Sequence, residues 1–92
     1  MEKFLMLGKY SYEATKGVSA ERTQKAVELI ENAGGKVKAI NILLGNYDMF
    51  ILSEFPGVKE AINISLALTR MTGISFTTSP ALSVEEFDRL IQ

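Results

Sequence analysis

Gly45-Asn46-Tyr47-Asp48 sets a phenol beside a carboxylate just after a flexible glycine. Such a pair can orient a ligand or pass a proton. Tyr10 and Tyr12 add two more phenols, and Arg22 and Arg70 add two guanidinium groups. Two arginines facing one cleft would hold a carboxylate or a phosphate by forked hydrogen bonds. Each residue also has a plainer reading. Gly45 supplies the positive φ that its turn needs. Asp48 makes an ion pair or a hydrogen bond with the loop after the first strand, near Lys9. Tyr47 packs beside the Tyr10 loop with its hydroxyl in water. Tyr10 and Tyr12 lie in a loop, where binding residues gather, or simply cover the start of a helix. Arg22 and Arg70 are solvated helix charges. No residue takes a catalytic role from its type and spacing alone.

Composition narrows the chemistry further. The chain has 92 residues, no histidine and no cysteine. A zinc site of nitrogen and sulfur ligands, a thiol nucleophile, a histidine base and a disulfide are all excluded. No metal and no cofactor is expected. The formal net charge is −1, and the lysines and arginines are scattered. That is no footprint for nucleic acid. No apolar run approaches the ~20 residues of a membrane span. The start, Met1 to Gly8, is too short and too acidic for a signal peptide. A single cytoplasmic domain, residues 1–92, is the expectation. Gly34-Gly35 ends a helix and opens none, so it is no phosphate loop. The methionines are gap fillers.

The candidate residues must be positioned by a short series of elements. Phe4 to Leu7 is apolar on both faces, as a strand buried on both sides would be. A loop runs on to Gly17. Ser19 caps a helix in which Thr23, Ala26, Val27 and Ile30 form one stripe, and Ala33-Gly34-Gly35 ends it. Lys36 to Leu44 and Tyr47 to Phe55 read as strands joined by a tight type II′ turn at Gly45-Asn46. On the second of these, Met49, Ile51 and Ser53 oppose Phe50, Leu52 and Glu54. Asn41 interrupts an apolar strand; if buried, it requires an amide partner or a pocket. Val58 to Thr72 is a helix on Ala61, Ile64, Leu68 and Met71, widened by Ile62 and Leu66. Ile74 to Ser79 is an edge strand ended by Pro80. Ser83-Val84-Glu85-Glu86 is a capping box with Leu82 and Phe87 at the staple positions. Phe87, Leu90 and Ile91 are expected to pack back on the body.

Strand–helix–strand twice, with a hairpin between, is the ferredoxin-like α+β sandwich, βαββαβ, with an extra C-terminal helix. The crossover rule orders the sheet 4-1-3-2. The ends of the elements then gather Lys9, Tyr10, Arg22, Tyr47, Asp48 and Arg70 at one end of the sandwich. Two helices cover one sheet face only. The other face still carries Leu5, Leu7, Phe50 and Leu52, a patch that soluble monomers rarely leave open. Two chains are therefore expected to pack sheet to sheet, as a dimeric α/β barrel.

Gly-x-Tyr-Asp at Gly45, Tyr47 and Asp48 resembles the signature of the GYD domain family. Its setting is similar too: an early aromatic loop, a helix ending in Gly34-Gly35-Lys36-Val37-Lys38-Ala39, and a closing Glu85-Glu86-Phe87 helix. The resemblance spans nearly the whole chain. It implies a small dimeric α/β-barrel-like protein and carries over no reaction. One departure is the strand Ile74 to Ser79, which bears no charge here. Three functions stay open at this point. The first is a homo-oligomeric binding or accessory module, a homodimer or a higher multiple. It would take a small polar or anionic ligand near Tyr10, Arg22, Tyr47 and Asp48. The second is a cofactor-independent enzyme using Asp48 or Tyr47 for proton transfer. The third is a purely structural oligomer.

Overall fold

The computed structural model describes all 92 residues. The elements run β1 (Glu2–Tyr10), α1 (Tyr12–Lys16), α2 (Ala20–Asn32), β2 (Lys36–Ile42), β3 (Met49–Phe55), α3 (Val58–Thr72), β4 (Ile74–Ala81) and α4 (Val84–Leu90). The strands form one antiparallel sheet in the order β2-β3-β1-β4. β1 and β3 are central, so their residues meet neighbours on both edges.

Local chemistry explains the boundaries. Ser19 Oγ accepts the Arg22 N–H at 3.0 Å and starts α2. Gly73 closes α3 in the left-handed conformation, φ +77°, and its N–H reaches the Thr69 carbonyl at 2.8 Å. Any side chain with a Cβ at this position would resist that φ. Ser65 Oγ meets Thr78 Oγ1 at 2.7 Å and ties α3 to the edge strand β4.

One face of the sheet is covered by α2 and α3. Phe4, Met6, Ile51 and Phe55 from the strands meet Ile30 and Leu68 from the helices, all buried. Phe4 and Phe55 pack as tilted rings with centroids 6.0 Å apart, within the range aromatic pairs favour. Gly8 keeps β1 close to its neighbours here: a Cβ would stand 2.7 Å from Met49 Cγ and 3.0 Å from Ile74 Cγ2.

Nothing in the chain covers the opposite face. Leu5 pairs with Leu52 and Leu7 with Phe50 across β1 and β3. These four are only half-buried. A polar row, Lys3, Glu54 and Lys36, bounds them at one end. Ser79 and Thr77 of β4 flank Leu5 and Leu7 along one side.

Four expectations are corrected. The segment from Lys9 to Gly17 is no plain loop. β1 runs on to Tyr10 because it pairs with β4 as far as Ile74. Ser11 Oγ then accepts the Ala14 N–H at 2.9 Å and nucleates the single turn α1. The β2–β3 connection is no two-residue turn: the strands stop at Ile42 and Met49. Gly45 does take a positive φ, +147°, but in a wider loop closed by Leu43 N–H to Asp48 O at 2.8 Å. Ile62 and Leu66 do not widen the buried stripe of α3; they are 55% and 51% exposed. α4 does not pack back. Its capping box forms, with Ser83 Oγ accepting the Glu86 N–H at 3.1 Å, yet it has no buried residue.

Candidate functional site

Asp48 stands where β3 meets β1 and the end of β2. Its N–H donates to Gly8 O at 2.8 Å, and its carbonyl accepts from Leu43 N–H at 2.8 Å. Its Oδ2 accepts the Tyr10 N–H at 2.7 Å. One residue thus clasps three strands, and its carboxylate bonds the last residue of β1, next to Lys9, where the plainer of its two sequence readings expects a loop. A carboxylate accepting a backbone N–H gains a charge-assisted bond, stronger than a neutral one. Tyr47 is half-buried beside it. Gly45 has open space where a Cβ would be, so its φ alone selects glycine.

Tyr10, whose backbone Asp48 holds, turns its ring toward α2. The Arg22 guanidinium lies over that ring, its Cζ 5.7 Å from the centroid. Arg22 Nη1 donates to Ala14 O at 2.6 Å and so binds α2 to α1. Gly17 leaves room for this: a Cβ there would be 2.9 Å from Nη1. A guanidinium has five N–H donors, so donors remain after the bond to Ala14.

Tyr10 and Arg22 line a cleft between α2, α3 and the sheet, with Ile40, Met49, Leu68 and Ile74. Nine of its twelve lining residues are hydrophobic, and Arg22 is the one that carries a charge. The cavity measures about 60 Å³, room for about four water-sized groups. Thr72 also lines it, but its Oγ1 is engaged, donating to Leu68 O at 2.7 Å and accepting Ile74 N–H at 3.0 Å.

The sequence candidates therefore divide. Tyr10, Arg22 and Asp48 come together, two of them on the cleft and the third behind it. Tyr47 and Asp48 are not among the cleft's lining residues. Tyr12 points to solvent, 75% exposed, with the Lys16 ammonium 4.4 Å from its ring centroid. Arg70 is exposed on α3 and does not line the cleft, so no two-arginine clamp forms. Asn41 is exposed and has no burial to satisfy. Ile40 and Met49 are lining residues that sequence reasoning missed, because apolar strand residues read as plain core. The missed signal is Gly8, which brings Met49, Ile74 and Phe76 to one point. No group of three or more acidic, histidine or cysteine side chains is placed to hold a metal. No helix is long and apolar enough to cross a membrane.

Comparison with known proteins sets this geometry in context. The GYD domain family model matches residues 4–91. No curated protein matches the chain. Among solved structures, the leucine response regulatory protein LrpA of Mycobacterium tuberculosis is similar, with a TM-score of 0.59 at 7% identity. The match covers 90% of this chain and 51% of that one, so this chain spans about half its length. At that identity the likeness is one of fold.

Proposed function

Because this chain belongs to the GYD domain family, we propose that it is a homo-oligomeric module that binds a small anionic ligand and catalyses no reaction with Asp48. Copies pair through the uncovered sheet face, whose apolar centre and polar rim match the anatomy of protein interfaces. The observation that carries the ligand is Arg22, the one charged group at a largely apolar cleft. Such a site favours an anion with a short apolar tail, the guanidinium holding the carboxylate and the cavity taking about four carbons. The name of the similar structure ties that protein to a response to leucine, itself a carboxylate with a short branched tail. The cleft here has no acid for an ammonium group, which favours a monocarboxylate without an amine. Proton transfer by Asp48 draws less support, since its Oδ2 is engaged by Tyr10 N–H.

The test is a native mass spectrum of the freshly purified protein, followed by NMR titration with 3-methylbutanoate, leucine and 3-methylbutanol. A dimer or a multiple of it is expected, with saturable shifts of the Ile40 and Ile74 methyls for 3-methylbutanoate. Leucine and the alcohol should bind at least 10-fold more weakly. Arg22→Gln should abolish the preference for the acid over the alcohol. A monomer overturns the pairing. A cleft that no carboxylate perturbs overturns the ligand and leaves the structural oligomer.

A further inference from the structure

With the open face assigned to pairing, two apolar surfaces still have no partner. The first is a groove on the helix side, between α3 and the edge strand β4. It measures about 270 Å³ and is lined by Phe4, Val58, Ile62, Leu66, Phe76 and Pro80, among others. Val58, Ile62 and Leu66 recur every four residues on α3 and are 53%, 55% and 51% exposed. The second is α4. Val84, Phe87, Leu90 and Ile91 are 70%, 52%, 70% and 67% exposed. Positions 84, 87 and 91 fall on one helical face. The capping box holds α4 as a helix although it buries nothing.

We infer that the groove between α3 and β4 receives α4 of a second copy of this chain, reciprocally, so that two helices and two grooves are exchanged per pair. The dimensions agree. Val58 to Leu66 spans about 12 Å of helix, and the seven residues of α4 span about 10 Å. The positions agree as well. Pro80 lines the groove, and β4 ends one residue later, with only Leu82 and Ser83 before α4. The root of α4 and the mouth of the groove therefore lie at the same end of the molecule, and a two-fold exchange needs no extra chain to bridge them. The area agrees too. The seven side chains offer roughly 100 Å² each, so a reciprocal pair presents on the order of 1,400 Å², against the ~1,200–2,000 Å² that specific interfaces bury. An amphipathic helix in an apolar groove is a recurring mode of recognition. This contact is separate from the pairing of open faces, because Phe4 and Phe76 lie on the helix side of the sheet.

The chain has no cysteine, so an introduced pair reports cleanly. The full chain carrying Ile62→Cys and Phe87→Cys is oxidised gently and its mass is measured after denaturation. A covalent dimer linked between positions 62 and 87 is expected, and mixing the two single variants should give the same link between different chains. Phe87→Cys replaced by Glu85→Cys, on the opposite side of α4, should link at least 10-fold more slowly. Equal rates would mean random collision and overturn the inference. An intrachain link would put α4 in its own groove and overturn it, and so would the absence of any link. The readout is one named disulfide, so it holds or fails regardless of whether the open faces pair.

Discussion

On β1 and β3 the side chains alternate between two faces that are almost equally apolar. Met6 and Ile51 point to one face and are 0% and 2% exposed. Leu5, Leu7, Phe50 and Leu52 point to the other and are only half-buried. The residue types hardly differ, and the positions differ by one. Alternation assigns each residue to a face; a second layer decides whether that face is dry. α2 and α3 supply that layer on one side only. On the reading proposed above, the apolar character of the other side serves assembly and not the single chain. α4 and the exposed stripe of α3 likewise present apolar surface that no layer of the chain covers.

Removing side chains from the covered face should have the largest effect. Ile51→Ala removes a buried side chain from the core cluster that holds Met6, Phe55 and Leu68. It should cost about 2–5 kcal/mol and lower Tm by roughly 10 °C or more, measured by calorimetry. A loss under about 1 kcal/mol would mean that the two faces are alike after all. On the open face, Leu52→Lys should act mainly on assembly. The expected result in light scattering is a folded species of half the native mass, or a chain that unfolds at low concentration. If Leu52→Lys and Leu5→Lys both keep the native mass and Tm, the open face is not the seam.

Asp48 probes what keeps the two faces apart. A slip of one residue in register would exchange them. At the end of β1 and β3 the register is held by Asp48, through Gly8, Leu43 and Tyr10. Asp48→Ala removes the acceptor and leaves the Tyr10 N–H half-buried without its partner, a loss of about 1–3 kcal/mol. Asp48→Asn keeps an oxygen that can accept and should cost less than about 1 kcal/mol. Urea denaturation reads both. If neither variant changes stability, the carboxylate is kept for ligand chemistry and the motif is not a clasp.

Sheet order, strand faces and α3 are legible in the sequence because each rests on local signals. Pro56-Gly57 and Gly73 bracket α3 at Val58 and Thr72, and a right-handed crossover leaves little choice of sheet order. The gathering of Tyr10, Arg22 and Asp48 at one end follows from the same topology. The remaining features depend on contacts distant in the chain. β1 reaches Tyr10 because Ile74 pairs with it. α1 is five residues, too short for any periodicity to show. The turn widens because the main chain of Asp48 is drawn to Gly8. The staple residues Leu82 and Phe87 mark an apolar helix start but name no surface for it. Ile40 and Met49 look like core residues, and only the approach of α2 and α3 to the sheet makes them walls of a cleft.

The smallest expected effect concerns α4, the element that, like the open face, presents apolar surface to no layer of its own chain. Bonds from the Ser83 N–H and Oγ hold the Glu86 carboxyl below the ordinary carboxylate value. The ionised form therefore favours the helix. The gain is complete above the unfolded carboxylate value, and it is lost as pH falls through the lowered value of the folded chain. Backbone chemical shifts and the amide exchange of Ser83, followed from pH 7 down to about 3, should show the first turn of α4 loosening at the acid end while the sheet stays intact. Glu86→Gln keeps an acceptor oxygen but not the charge, and should remove this pH dependence. If the native chain shows no change at Ser83 over that range, the capping box does not hold α4. Its readiness to meet a second copy as a formed helix would then have to come from the partner's groove.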